Sequence, residues 1–520
     1  MEYIDELKKL LNNPDRLRQE EPFTRGMERD FADYGIKRSV SAGETITAEL
    51  PQVKQIVVSQ QQFMRELDPR CHDVLFDENI PSICVKVADH DYRDIKHKRM
   101  AIPLQQIIKN TQVIYLTNHP MQFTQVDKEP TEQQKQDFIT FKQYWDLRNQ
   151  DGMKNKMVDT QLSVGKAGLL YYFDRKGRIK SRILSYPKYK LCSHNDKNGD
   201  RIIETVYYKT NEWIDNKYIE TEYLDSYDDT FLYRCKKQTG VNTTSSGWTY
   251  EEPVEHGFSE IPLITKRGNV AWDGGQTAIE AFEEVFNVFN AIQKRFGWGI
   301  FYIKGQFKET SQRIAGSVVL NDRDAESGGD AKFLTPPSPE GMLDTLKNLL
   351  RTIQLSTSTT FILPDDINMS GDVSGIAVQL TKELDLQNAM QKVIDWQNVA
   401  DKMTRLFKEG LAKELVNTGE HPTALTSFAD LHINAKFKVW KPFSDTEYNN
   451  MILSLANGGL ISKQTGIESN TISRPDELIR IEKENEENTK KAQMFSSQQQ
   501  IEKQAEDSTE NNNKREEDLE

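Results

Sequence analysis

Three short patterns could carry chemistry, and each lacks a residue that its chemistry needs. The stretch Gly257-Phe258-Ser259-Glu260-Ile261 begins like the turn that presents a catalytic serine, but Ile261 replaces the second glycine of that turn. Beside Gly165-Lys166, Thr160 stands where a phosphate-binding loop has its first glycine, and Ala167 follows the lysine. We therefore predict no catalytic residue and no nucleotide site.

The acidic loop at Asp322, Asp324 and Glu326 has the alternation of a calcium loop. Ser327 occupies the position of the sharp-turn glycine, and Phe333 occupies that of the bidentate carboxylate. The eight histidines include no zinc-protease pattern. We predict no metal and no cofactor. One alternative is a metal-dependent nuclease that uses either of two acidic pairs, Asp322/Asp324 or Asp365/Asp366.

The composition indicates a polar protein of several domains. Of its 520 residues, 37% are hydrophobic and 28% are charged, and the net charge is −13. No run of 18 apolar residues is present, so no membrane span is expected. The four cysteines form no close pair, which predicts free thiols. A negative chain is unsuited to static, tight binding of nucleic acid, which usually needs a basic surface.

The elements that would position a functional surface are helices with apolar seams. From Thr277 onward, apolar residues recur at steps of three and four: Ala278, Phe282, Val285, Phe289, Ile292 and Phe296. The other side of this helix is polar and carries Glu280, Glu283, Glu284, Asn287, Asn290, Lys294 and Arg295. An apolar arc covering about half the circumference exceeds what one surface contact buries. We predict packed neighbours on two flanks and an aqueous space along the polar stripe.

Other patterns predict the remaining architecture. A helix over about 134–163 precedes a hairpin with strands at 168–173 and 178–184, and further strands follow at 202–208, 218–223 and 230–236. After the seam helix come short strands, a second apolar-striped helix over 342–353, and a helix over 375–416. The end of the chain is acidic and is predicted to be disordered from residue 483.

This order of elements resembles the portal proteins of tailed bacteriophages, in particular those of long-tailed phages of Gram-positive bacteria. The resemblance rests on the stretch from His256 to Gly299, in which a strand ending in Ile261-Pro262 leads through a glycine-rich loop into the seam helix and an extended segment. It also rests on the helix, aromatic strand and Asp174–Gly177 turn. The resemblance implies an α+β portal fold with a wing, stem helices, a β-rich clip and a helical crown, assembling as a ring.

The resemblance also implies a division of the chain. The predicted regions are 1–268 (N-terminal region and wing), 269–298 (first stem helix), 299–340 (clip), 341–358 (second stem helix), 359–374 (tunnel loop), 375–443 (long kinked helix and wing strand), 444–480 (crown) and 481–520 (acidic tail). In such a ring the polar stripe of the first stem helix is predicted to line a DNA tunnel through Glu280, Glu283, Glu284, Asn287, Asn290 and Lys294. The tunnel loop is predicted to contribute Asp365, Asp366, Asn368 and Asp372, and subunit packing is assigned to Phe282, Val285, Phe289 and Ile292.

The partners implied by the resemblance are those of a capsid vertex. They are further copies of the chain in a ring, dodecameric in the family, double-stranded DNA passing through it, the terminase large subunit, the major capsid and scaffolding proteins, and a head–tail adaptor. The implied location is the virion, after assembly in the host cytoplasm. A different ring-forming head–tail protein is the second alternative, although adaptors are usually shorter.

Overall fold

The structure is a computed structural model with twelve helices of at least four residues and nineteen strands among the residues that it describes. The described residues are 10–19, 22–29, 53–76, 83–88, 91–95, 98–127, 129–196, 198–214, 217–238, 247–296, 300–304, 313–314, 317–318, 330–334, 340–360, 382–440, 445–470, 477 and 480–491. The helices are α1 (Pro14–Leu17), α2 (Gln60–Leu67), α3 (Leu104–Thr117), α4 (Glu132–Leu147), α5 (Gln150–Val164), α6 (Gln276–Phe296), α7 (Glu340–Thr357), α8 (Glu383–Thr418), α9 (Ala424–Ala429), α10 (Asp445–Asn457), α11 (Lys463–Ser469) and α12 (480–491).

The strands form small antiparallel sheets. They are β1 (Phe23–Arg29), β2 (Val53–Val58), β3 (Ile83–Ala88), β4 (Asp91–Ile95), β5 (Gln122–Gln125), β6 (Lys166–Phe173), β7 (Ile179–Leu184), β8 (Tyr189–Asn195), β9 (Arg201–Ile214), β10 (Lys217–Tyr227), β11 (Phe231–Gln238), β12 (Thr249–Tyr250), β13 (Val254–Glu255), β14 (Leu263–Arg267), β15 (Ile300–Lys304), β16 (Arg313–Ile314), β17 (Ser317–Val318), β18 (Asp330–Leu334) and β19 (Ile433–Lys436). The largest sheet has the order β12-β11-β10-β9-β8 with β13 beside β11, and a second has the order β14-β6-β7. Mixed helix and antiparallel sheet confirm the α+β class.

The main core joins the N-terminal strands β1 and β2 to the helices that pack against one face of the sheet β14-β6-β7. Aromatic side chains from distant parts of the chain meet in it: Trp145 of α4 and Phe407 of α8 pack edge to face with ring centroids 5.2 Å apart. Helix α8 runs through this core, with Trp396, Met403 and Leu411 fully buried. The long helix predicted after the tunnel loop therefore forms the centre of the subunit.

The single helix predicted over about 134–163 is two helices. Asn149 adopts φ +50° between α4 and α5, a left-handed conformation that asparagine tolerates, and its side chain accepts a hydrogen bond from Gly152 N at 3.2 Å. Helix periodicity continues on both sides of this break, which is why a pattern of apolar residues does not detect it. The segment 53–67 also consists of two elements, β2 and α2.

Helices α6 and α7 form an antiparallel pair. A Cβ atom built on Gly275, just before α6, would lie 2.6 Å from Thr357 Cγ2 at the end of α7, and one on Gly274 would lie 2.7 Å from Ser356 O. Only glycine permits these two segments of the backbone to approach so closely. The beginning of α6 is therefore fixed against the end of α7. These two helices lie where the stem helices are predicted, and their role as a stem stays a prediction.

Two further predicted regions are described in part. Between α6 and α7, β15 pairs with β18 and β16 pairs with β17, which agrees with a β-rich segment there. In the acidic tail, residues 480–491 are helical and exposed, so the prediction of disorder from residue 483 is wrong as far as 491. The tail from 492 to 520 lies outside the described residues.

Candidate functional site

The first half of α6 is held to the body of the subunit by a buried histidine. His72 Nδ1 lies 2.7 Å from Glu283 Oε1, and His72 Nε2 lies 2.7 Å from the carbonyl oxygen of Glu66. Both partners are acceptors, so both ring nitrogens donate and the ring is an imidazolium. Burial lowers the pKa of His72, but the hydrogen bond and negative charge of Glu283 outweigh it and leave that pKa raised.

A short segment before α3 completes this attachment. Glu283 Oε1 also accepts from Ile102 N at 2.7 Å. One turn later, Asn287 Oδ1 accepts from Met100 N and Asn287 Nδ2 donates to Met100 O, both at 2.8 Å. Glu283 is 3% exposed and Asn287 is fully buried. These two polar side chains of α6 therefore bind the subunit's own backbone.

A second buried network surrounds the carboxylate of Glu66. Arg25 donates to both carboxylate oxygens of Glu66 at 2.8 Å and to Asp273 Oδ1 at 2.8 Å. Trp272 Nε1 donates to Glu66 Oε2 at 2.9 Å. A buried carboxylate held by a two-pronged arginine and an indole keeps its charge compensated. This network fixes the turn from which α6 begins.

The end of α7 is held by a third polar cluster. Gln112 Nε2 of α3 lies within 3.1 Å of three oxygens, Ala271 O, Thr357 O and Thr359 Oγ1. Its Oε1 accepts a hydrogen bond from Lys392 of α8, and burial lowers the pKa of Lys392 to about 8. The loop before α6 and the end of α7 are therefore joined to α3 and α8 through one glutamine.

Residues 361–381, which follow this cluster, lie outside the described part of the chain. Just before and after them, Asp385 Oδ1 accepts from Thr360 N at 2.8 Å and Lys382 Nζ donates to Thr360 O at 3.3 Å. Burial raises the pKa of Asp385, although the hydrogen bond from Thr360 N and the positive charge of Lys382 oppose that rise. The predicted tunnel-loop residues Asp365, Asp366, Asn368 and Asp372 all fall in 361–381, so their position stays a prediction.

The polar stripe predicted to line a channel divides into two groups. Glu283 and Asn287 are enclosed by the subunit's own residues, so the prediction that they face an open channel is wrong for these two. Glu280 and Glu284 are exposed. Asn290 is half-buried, and its Nδ2 is shielded without an acceptor among the described residues. The side chain of Lys294 lies outside the described residues.

The four predicted packing residues stand on the remaining sides of α6. Phe282 packs at the edge of the main core and stacks on Phe286 with ring centroids 6.3 Å apart. Val285, Phe289 and Ile292 are each half-buried in the single subunit. They retain apolar surface that another chain can cover, and their role in subunit packing stays a prediction.

A cleft of about 630 Å³ lies on the side of α6 that faces away from α7. It is bounded by the segment 59–74 and by Gln105 of α3, and α6 contributes Gln276, Glu280, Glu283 and Glu284. Residues of α7 are absent from its described lining. The sequence marked the polar face of α6 correctly, but nothing in it signalled His72, Met100 or Gln112 as the partners of that face.

Ser259, the serine of the incomplete catalytic pattern, is hydrogen-bonded to α8. Ser259 Oγ donates to Glu409 Oε2 at 2.7 Å, and Ser259 N donates to Glu409 Oε1 at 2.9 Å, which ties the loop before β14 to α8. Among the described residues, no group of three or more His, Cys, Asp or Glu side chains could hold a metal ion. The same residues include no helix long and apolar enough to cross a membrane. Asp322, Asp324 and Glu326 lie outside them.

Comparison with models of protein families gives a match over most of the chain. A family model described as "Phage portal protein, SPP1 Gp6-like" matches residues 59–491, which include α2 to α12. A search of curated proteins gives no match. One similar solved chain belongs to a structure described as "Neck of empty GTA particle computed with C6 symmetry": identity is 12%, 70% of this chain and 87% of that chain are covered, and the TM-score is 0.31. A TM-score of that size supports no further conclusion.

Proposed function

Because the chain belongs to the SPP1 Gp6-like family of phage portal proteins, we propose that it forms the ring at one capsid vertex through which genomic DNA is packaged and later ejected. The match over residues 59–491 carries the proposal, since it spans both stem helices and the segment between them. Membership of this family makes the chain a structural component of a phage head. The ring, its copy number of twelve and the passage of DNA belong to the proposal.

The partners follow from that place in the virion. The ring is proposed to start capsid assembly with the major capsid and scaffolding proteins, to dock the terminase large subunit during packaging, and to join a head–tail adaptor afterwards. The chain is proposed to carry no enzymatic activity of its own, so that the terminase supplies the ATP hydrolysis.

The charge of the chain suits a conduit better than a binding surface. Each lysine or arginine that touches a phosphate adds affinity through the release of counterions. Every such contact must also break when DNA slides. A chain of net charge −13 makes few of them. In this proposal Asn290 and Lys294 of α6 and the four tunnel-loop residues remain predicted channel positions.

Electron microscopy of the purified full chain tests the proposal. Negative-stain images should show closed rings with a central hole, and size-exclusion chromatography should give a mass of about twelve chains. Replacing residues 300–336 with a short linker should abolish the rings, because the strands in that segment are too short and too few to bury a core alone. A purified protein that stays monomeric at all concentrations and salt conditions would contradict the proposal.

The alternative of a metal-dependent nuclease has a direct test. The wild-type protein should leave linear and supercoiled DNA intact in the presence of Mg²⁺ or Mn²⁺. Cleavage that is lost in an Asp322→Asn/Asp324→Asn or Asp365→Asn/Asp366→Asn variant would assign the nuclease instead.

A further inference from the structure

Two pairs of charged residues, one acidic and one basic, lie on the outer sides of the stem helices. Glu280 and Glu284 lie one turn apart on α6 and are both exposed, and Lys347 and Arg351 lie one turn apart on α7 and are both exposed. Gln276 Nε2 donates to Glu280 Oε1 at 2.9 Å, but none of the four forms an ion pair with any described residue at 4 Å or less. Like charges at this spacing repel each other within one helix.

The two pairs lie at the same height along the antiparallel helices. The contact between Gly275 and Thr357 gives a common zero point from which heights along both helices are measured. At about 1.5 Å per residue, Glu280 and Glu284 lie about 7.5 and 13.5 Å from this origin. Arg351 and Lys347 lie about 9 and 15 Å from it on the same scale. Each carboxylate therefore has a cation within about 2 Å of its own level.

The pairs nevertheless point away from each other within one subunit. Ile353 is fully buried beside Gly275, which marks the side of α7 that faces α6. At about 100° per residue, Arg351 and Lys347 lie about 160° and 120° around α7 from Ile353. Glu280 and Glu284 line the cleft on the far side of α6. One subunit thus presents acids on one flank and bases on the opposite flank, at equal heights.

The cleft on the acidic flank holds no unpaired cation among the described residues that line it. Its cations are already paired, Arg65 with Asp73 at 3.2 Å and His72 with Glu283. Glu280 accepts from Gln276 Nε2, which directs Gln276 Oε1 toward Gln105 Nε2 at 3.3 Å. Gln105 is 1% exposed, and its Oε1 has no hydrogen-bond partner among the described residues. This series of hydrogen bonds from Glu280 through Gln276 ends in the unpaired acceptor of Gln105. A cleft with unpaired carboxylates and an unpaired acceptor fits a cationic group that donates hydrogen bonds.

We infer that the occupant is a second copy of this chain, whose Arg351 and Lys347 pair with Glu280 and Glu284 across the subunit boundary. This inference rests on the proposed ring. A rotation about an axis roughly parallel to the stem helices preserves height, so it brings the basic flank of one copy to the acidic flank of the next at matching levels. Leu343 and Leu355, which are 41% and 65% exposed, lie on the same helix and add apolar surface to the contact. The assignment places Glu280 and Glu284 between subunits, in place of the channel position predicted from the sequence.

Charge reversal tests the pairing in trans. An acid-flank variant carries Glu280→Lys and Glu284→Lys, and a base-flank variant carries Lys347→Glu and Arg351→Glu. Each alone sets like charges against each other at every boundary, so the concentration needed for half-assembly should rise by about tenfold or more. Mixed in equal amounts, the two variants should form rings again. When they alternate around the ring, an acidic flank meets a basic flank at every boundary.

Three controls show whether a loss of rings comes from the broken charge pairs, from misfolding or from the change of net charge. All four side chains are exposed, so circular dichroism and the melting temperature of each unassembled variant should match the wild type. A Glu129→Lys/Glu132→Lys variant makes the same change of charge at exposed positions near the start of α4 and should assemble as the wild type does. Glu280→Gln/Glu284→Gln should weaken assembly less than reversal does, and mainly at low salt.

The outcomes distinguish the inference from the proposed function. Rings from the mixture, with neither variant assembling alone, support the pairing. Normal rings from either reversed variant alone, or no rings from a mixture of folded variants, overturn the pairing while the wild-type ring leaves the proposed function intact. Absence of rings in the wild type overturns both.

Discussion

Glu283 Oε1 lies 2.7 Å from His72 Nδ1, and this pair connects the first stem helix to a segment 211 residues earlier in the chain. The other ring nitrogen faces a carbonyl oxygen, so the histidine donates to both acceptors only as an imidazolium. Deprotonation of His72 would remove one of these two hydrogen bonds and weaken the attachment of α6 to the body.

The stability of the subunit should fall with rising pH because of His72. The pKa of His72 is raised in the folded state above its ordinary value of 6.5. Its contribution is thus complete below about pH 6.5 and is lost as the pH rises through the folded pKa. His72→Gln should lower the free energy of unfolding by about 1.5–3 kcal/mol at pH 6 and by less at pH 9.

Denaturant unfolding of wild type and variant across this pH range measures that difference. His432 is the matched control: it also faces a carboxylate, Asp127, but its side chain is 70% exposed. His432→Gln should change the free energy of unfolding by less than about 0.5 kcal/mol. An effect of His72→Gln that is equal at pH 6 and pH 9 would show that the ring is not charged.

Asn287 should matter for the fold of the subunit. Its truncation to alanine leaves the N–H and C=O of Met100 without their partners at a partly buried site. The expected cost is about 1–3 kcal/mol for each group left unpaired. Asn287→Ala should therefore lower the melting temperature of the unassembled protein. Replacing Gln293, an exposed residue of the same helix, with alanine should leave the melting temperature nearly unchanged. A normal melting temperature for Asn287→Ala would argue that α6 is not held by Met100.

Gln112 should control how firmly the end of α7 is attached. Gln112→Leu removes the donor shared by Ala271 O, Thr357 O and Thr359 Oγ1, and it removes the acceptor of Lys392. We expect a loss of about 1–3 kcal/mol in the free energy of unfolding. Hydrogen exchange should become faster around residues 357–360, while an exposed control, Gln136→Leu in α4, should change neither quantity. Unchanged exchange at 357–360 in Gln112→Leu would refute this role.

Phe289 should contribute more to assembly than to the single subunit. It is half-buried in one chain, so alanine removes only part of an aromatic contact there. If a neighbouring subunit completes the burial, truncation costs about 3–5 kcal/mol in the assembled state. Phe289→Ala should give lost or irregular rings by microscopy with a small change in the melting temperature of the monomer. Leu147→Ala, at a residue 72% exposed on α4, should assemble normally. Regular rings from Phe289→Ala would contradict the packing role.

The sequence by itself determined the helices and the family. Apolar residues at steps of three and four define α6, α7 and α8, because such periodicity reflects a helix face that must be buried in any packing arrangement. The order of these helices with the intervening strands was enough for the resemblance to portal proteins. The break at Asn149 was missed, since one residue in a left-handed conformation leaves the periodicity on both sides unchanged.

Only the tertiary structure decided which polar residues of α6 are available. Helix periodicity places Glu280, Glu283, Glu284 and Asn287 on one polar stripe and treats them alike. His72 and Met100, which lie 211 and 187 residues away from their partners, bury two of the four and leave the other two exposed. A helical pattern records where a side chain points along its own helix. Whether that side chain meets water, its own chain or a second copy depends on contacts formed between segments far apart in the sequence.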